Sequence, residues 1–254
     1  MAASNLILHC GAREVTRDEL ATLPCPPPTK TWSPVGHARV LDTAVGTLAE
    51  AGYTVVKARY GLARNDGRFF GTLDLATPLT TDGGVTLAVG IRNSIDKTFP
   101  MGFCAGSRVM VCDNLAFRSD LMVRRKHSPQ GIANFSTDIA GAVMLLASFK
   151  EAETVRIAAL TDTPMPDERA DSLILRAAVD RGIIPLRAIP HVIKEWKEPR
   201  HEQFAARTAW SLFNAFTSAF VALQESNPAE LARRTMRLSA MLSPTPPKVE
   251  ALAV

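Results

Sequence analysis

Cations recur at alternate positions in several short runs of this chain. Lys57 with Arg59, then Arg68, Arg92 and Arg108, each stand on one parity of a run whose other parity is mostly apolar. An extended backbone turns successive side chains to opposite faces, so this spacing puts long cations on one side of a sheet and oil on the other. Cations gathered on a sheet face suit a phosphate backbone, because each phosphate they meet releases condensed counterions. Phe70 shares the parity of Arg68, and a ring among cations offers a platform on which a base can stack with little sequence preference. Arg64 and the cluster Arg124, Arg125 and Lys126 extend this set of candidate nucleic-acid contacts. Two accounts fit the sheet cations: a solvated face without a partner, or a track for a polyanion. The cluster at 124–126 likewise fits either a solvated helix end, favoured by the helix dipole, or a phosphate patch.

A second constellation is polar. Asn93, Ser94 and Asp96, together with Asp113 and Asn114, fall where strands are expected to end. Their oxygens form a small site that would suit a magnesium ion in an enzyme acting on nucleotides or nucleic acid. The same residue types also make the local hydrogen bonds of turns. Cys10, Cys25, Cys104 and Cys112 show no C-x-x-C pair, and each of the five histidines stands alone in its segment, so no metal site is assigned. Cys112 alternates inside an expected strand with no neighbour to lower its pKa, which describes a buried structural thiol. Phosphate-binding glycine motifs are absent. No catalytic residue and no cofactor follow from these residues.

The elements that must position the cations are strands. Residues 53–62 and 68–75 flank Asn65, Asp66 and Gly67, and Asp-Gly between two alternating runs predicts a hairpin in which glycine accepts positive φ. Leu73 and Leu75 then share a face with Phe69. A second hairpin turns at 78–84, pairs the run 85–92 and closes with a strand at 107–113; residues 95–107 read as an irregular connection. A helix over 36–51, with Val40, Leu41, Ala44 and Leu48 at helical spacing, would cover the oily face. Further helices are expected at 137–160, 167–181, 202–224 and 228–242, with 185–199 extended or turning around Pro185, Pro190 and Pro199. The fold class is therefore α+β: an antiparallel sheet of two successive hairpins backed by helices, with a helical C-terminal half. Residues 1–31 form an extended proline-rich arm, 32–242 a single domain and 243–254 a proline-rich tail expected to be disordered.

Composition sets limits around this frame. Hydrophobic residues make up 46% of 254, enough to bury a core, and the net charge is +4. Residues 52–130 hold eleven basic against six acidic side chains, an excess of five, so the hairpin region accounts for the whole imbalance. No signal peptide is visible and the most apolar segment, 139–149, is too short for a bilayer, so a cytoplasmic protein with reduced thiols and no membrane partner is expected.

Residues 91–97 (IRNSIDK) and 107–116 (SRVMVCDNLA) together resemble a phage- and plasmid-associated family of unknown function, domain of unknown function 932. Residues 207–217 (RTAWSLFNAFT) are similar to that family's late helix, and the resemblance spans about 35–225. Where the family often carries histidine, this chain has Ile95, so a role for that histidine is absent. The resemblance implies an origin on mobile genetic elements and no reaction. Joined to the basic face, it leads to the expectation of a non-enzymatic single-stranded DNA-binding protein, assisting annealing or recombination as a homo-oligomer. The alternatives are the metal-dependent enzyme above and an assembly protein that docks through the aromatic helix around Trp210–Phe220.

Overall fold

The computed structural model describes residues 12–109, 114–222 and 228–243, without side chains for 109–120 and 221–232. Its centre is a six-stranded antiparallel sheet in strictly sequential order. The strands are β1 (Arg13–Val15), β2 (Val55–Ala63), β3 (Arg68–Pro78), β4 (Val85–Ser94), β5 (Met101–Val109) and β6 (Asn114–Arg125). Helices α1 (Arg17–Thr22) and α2 (His37–Glu50) precede β2. After the sheet come α3 (Pro129–Met144), α4 (Leu146–Asp162), α5 (Asp167–Ala178), α6 (Ile189–Lys197), α7 (Ala209–Ala222) and α8 (Pro228–Leu242). This is the expected α+β class, with helices filling the C-terminal half.

Strand parity holds across the sheet. Leu62, Phe69, Leu73, Leu75, Leu87, Val89, Ile91 and Phe103 all face one way and are fully buried. Val40, Leu41, Ala44 and Leu48 of α2 close that face, since α2 lies against β4. Several elements depart from the sequence reading. Residues 101–106 are the first two-thirds of β5, not an irregular connection, and 114–125 form a strand, so the cluster at 124–126 sits at a strand end and not a helix end. The expected helix at 137–160 begins earlier, capped by Ser128, and divides at Leu145 into α3 and α4. The stretch 185–199 contains α6: Pro190 occupies its first turn, where a missing N–H removes no helical hydrogen bond. The N-terminal arm contributes β1 and a six-residue α1 closed by a Thr16–Glu19 capping box. Residues 24–28 lie in neither helix nor strand, and the tail beyond Ser243 lies outside the described residues.

The β2–β3 turn also differs in mechanism. Positive φ falls on Arg64, Asn65 and Asp66, not on Gly67. What glycine provides there is room: a Cβ on Gly67 would sit 3.0 Å from the Cβ of Asp96 in the β4–β5 turn. Two adjacent turns therefore nest at one end of the sheet. Among the described residues no single helix is long and apolar enough to cross a membrane.

Candidate nucleic-acid interface

The parity that buries one face gathers Lys57, Arg59, Arg68, Phe70, Arg92, Arg108 and Arg124 on the other, as the backbone register requires. They do not form one exposed track. Arg108 is 1% exposed and its Nε donates to Asp74 Oδ1 at 2.5 Å; Asp74 is equally buried. Thr72, Thr86 and Ala88 around the pair are also buried, and Arg59 is buried beside them. The expectation that Arg59 and Arg108 meet solvent is therefore corrected. Asp74 shares their parity, and a cation sealed from water requires a carboxylate partner of this kind. Arg68 donates to Asp96 at 2.7 Å and to Thr98 at 3.1 Å, which binds it into the β4–β5 turn. Burial opposes ionisation of Asp96, but hydrogen bonds from Thr98 and Arg68 outweigh it and hold the carboxyl below its ordinary range. Arg125 points to the opposite face from Arg124 and pairs with Asp138 of α3, so the cluster at 124–126 divides between the two sides. Lys57, Arg64, Arg124 and Lys126 are exposed.

At the other end of the same face the arrangement is open. Arg92 on β4 is opposite Gly102 on β5, and Gly102 is opposite Arg124 on β6. Two strand spacings put those arginine Cα atoms about 10 Å apart, within reach of two extended guanidinium side chains. Arg92 lies down over Gly102: a Cβ there would stand 3.0 Å from both Cγ and Nε of the arginine. Its guanidinium rests 5.3 Å from the Phe99 ring centroid, and Phe99 meets Phe70 at 5.3 Å. Among the described residues no carboxylate pairs with Arg92 or Arg124; Arg124 Nε has only the Met122 sulfur at 3.0 Å. Burial, then repulsion from Arg124, lowers the Arg92 pKa, and Arg233 of α8 adds a smaller push. A guanidinium stays charged throughout. The lowered value reflects first the burial of Arg92 and second its closeness to other cations.

Sequence and fold are the only guides to what this end of the sheet does. No family model, curated protein or solved structure matches the chain.

The polar constellation separates. Asn93 is fully buried; its Nδ2 donates to Val35 O at 2.7 Å and to His37 Nδ1 at 2.9 Å. A carbonyl can only accept, so His37 Nε2 carries the proton it gives to Asp66 O at 2.9 Å, and Nδ1 is left to accept from Asn93. Asp66 in turn takes two hydrogen bonds from Arg13, at 3.0 and 3.1 Å, which ties β1 to the same turn. Ser94 Oγ donates to Phe99 O at 2.8 Å and accepts from its N–H at 3.1 Å. These residues fix the nested turns that present Phe99. Asn114 starts β6 opposite Val109, at the far end of the sheet from Asn93. Eight residues of strand, about 26 Å, keep them apart, so no joint site exists. Asp113, like Cys112, lies outside the described residues. His37 and His127, about ninety positions apart in sequence, approach one another beside Trp32; burial depresses the pKa of each, and their separation left no spacing signal. Among the described residues no three metal-ligating side chains cluster. Trp210, Phe213, Phe216 and Phe220 of α7 are buried, so the aromatic helix is core and offers no docking face.

Proposed function

We propose that this protein binds single-stranded nucleic acid at the β4–β5–β6 end of the sheet. The observation that carries the reading is the meeting of Arg92 and Arg124 across Gly102, with no carboxylate on them among the described residues, beside the Phe70–Phe99 ring pair. Guanidiniums supply planar donors for phosphate oxygens, and neighbouring rings supply surfaces for bases. Exposed Lys126 and Arg64 flank the same end and extend the positive field. The sequence resemblance supports a mobile-element origin, and with it a role in the cytoplasm on single strands during annealing or recombination. Self-association would join one such end to the next, and solution mass with and without a strand tests it.

Fluorescence anisotropy with labelled oligothymidylate tests binding itself. Affinity should fall as salt rises, with a log–log slope of about −0.7 per phosphate neutralised. Exchanging Arg92 and Arg124 for glutamine together should flatten that slope by about 1.4. Salt-independent retention, or a double variant that binds like the parent, sinks the reading.

A further inference from the structure

We propose that the Arg92–Arg124 seat takes a terminal phosphate, the dianionic monoester at a strand end, in preference to the internal phosphodiesters. The inference rests on the nucleic-acid reading and narrows it to a class of ligand. Its first ground is that the face does not continue as a track. Beyond the seat, Arg108 is buried against Asp74, Arg68 is bound into a turn by Asp96, and Arg125 faces away toward Asp138. A long polyanion finds no row of free guanidiniums to follow, whereas a single end needs only one locus.

The second ground is charge. Two guanidiniums that meet no carboxylate among the described residues present two positive charges. An internal phosphodiester returns one negative charge and a monoester returns close to two at neutral pH. The third is geometry. Arg92 is only partly exposed and is held between the Gly102 backbone and the Phe99 ring, so its fork is fixed before any ligand arrives. A fixed planar fork favours bidentate contact with a multi-oxygen anion over passing contact with a diester. A terminal nucleotide bound this way would leave its base close to Phe99 and Phe70, which meet each other at the same place.

The test compares three labelled oligothymidylates of one length: a 5′-phosphate, a 3′-phosphate and hydroxyls at both ends. At pH 8 a phosphorylated strand should bind about tenfold tighter than the hydroxyl strand, the size of one or two added charge-assisted contacts. Which phosphorylated strand gains identifies the end recognised. At pH 5 the monoester carries a single charge, so the ratio between phosphorylated and hydroxyl strands should collapse. That ratio cancels any general effect of acid on the protein. Arg124→Gln, at an exposed position that does not threaten the fold, should abolish the preference while leaving the thermal midpoint in place. Arg92→Lys keeps the charge but loses the fork, and should reduce the preference more than the affinity for the hydroxyl strand. Equal binding of all three strands overturns the terminal-phosphate inference and leaves the nucleic-acid reading standing. Binding of none overturns both.

Discussion

Two ends of one sheet face carry the same side chain in opposite circumstances. Arg108 and Arg92 come from adjacent strands and share a parity. Arg108 has Asp74 at 2.5 Å and is sealed from water; Arg92 has an aromatic ring, a glycine and a second arginine. The difference lies in one carboxylate. Where β3 offers Asp74, the cation becomes part of the interior. Where β3 instead offers Phe70, directly opposite Arg92, the cation lies against rings and remains partly exposed. Count and spacing of arginines therefore say less about binding than the placement of the few acids that share their face.

The comparison can be broken most forcefully at Asp74. Asp74→Ala leaves Arg108 buried with its carboxylate removed and should destabilise the protein by about 3–5 kcal/mol in urea unfolding, whereas replacing Asp74 and Arg108 together with leucine and methionine should restore most of that loss. Next comes Asn93→Ala, which strips the fully buried partner from Val35 O and His37; a loss of about 2–3 kcal/mol is expected, together with weaker strand binding as the turn carrying Phe99 loosens. Acid should act in the same region. Because burial lowers the folded-state pKa of His37 and His127, the unfolded chain takes up protons first as pH falls below 6.5. Stability is then complete above that pH and declines below it, and a urea midpoint series from pH 7.5 to 5 in parent and His37→Gln reads the effect. The smallest change is expected at the open end. Arg92→Gln relieves repulsion with Arg124 and should leave stability within about 0.5 kcal/mol of the parent, or slightly above it, while strand binding weakens. A large destabilisation there would mean that Arg92 is structural, like Arg108, and the contrast between the two ends would disappear.

Local pattern was enough to predict β2 to β4, because Phe69, Leu73, Leu75, Leu87, Val89 and Ile91 alternate without interruption and one face has to be buried. It was enough for α2, α5 and α8 for the corresponding reason at helical spacing. It failed for β5 and β6. β5 is rich in glycine and small residues, and a register shift between Cys104 and Gly106 resets the pairing with β6, so neither strand shows a clean period of two. Pro190 concealed α6 because proline is read as a breaker, although at a helix start it is favourable. The site was half legible. Parity put Lys57, Arg59, Arg68, Arg92 and Arg108 on one face, as the register shows, but the partner that removes Arg108 lies 34 residues away on another strand, and local spacing carries no trace of it. Gly102 and Phe99, which shape the open end, looked like parts of an irregular connection.

The sequential strand order has a consequence for how the molecule is made. From β2 to β6 each strand pairs with its neighbour in the chain across a short connection, a low-contact-order route to an antiparallel core, whereas β1 joins β2 from beyond α1 and α2. The longest-range contacts come late: α7 and α8 both lie against β6, α8 across about a hundred residues of sequence. A nascent chain therefore completes its six strands, including Arg92 and Arg124, well before Arg233 is synthesised. The last of the described helices is the one that brings a further positive charge up to the pair.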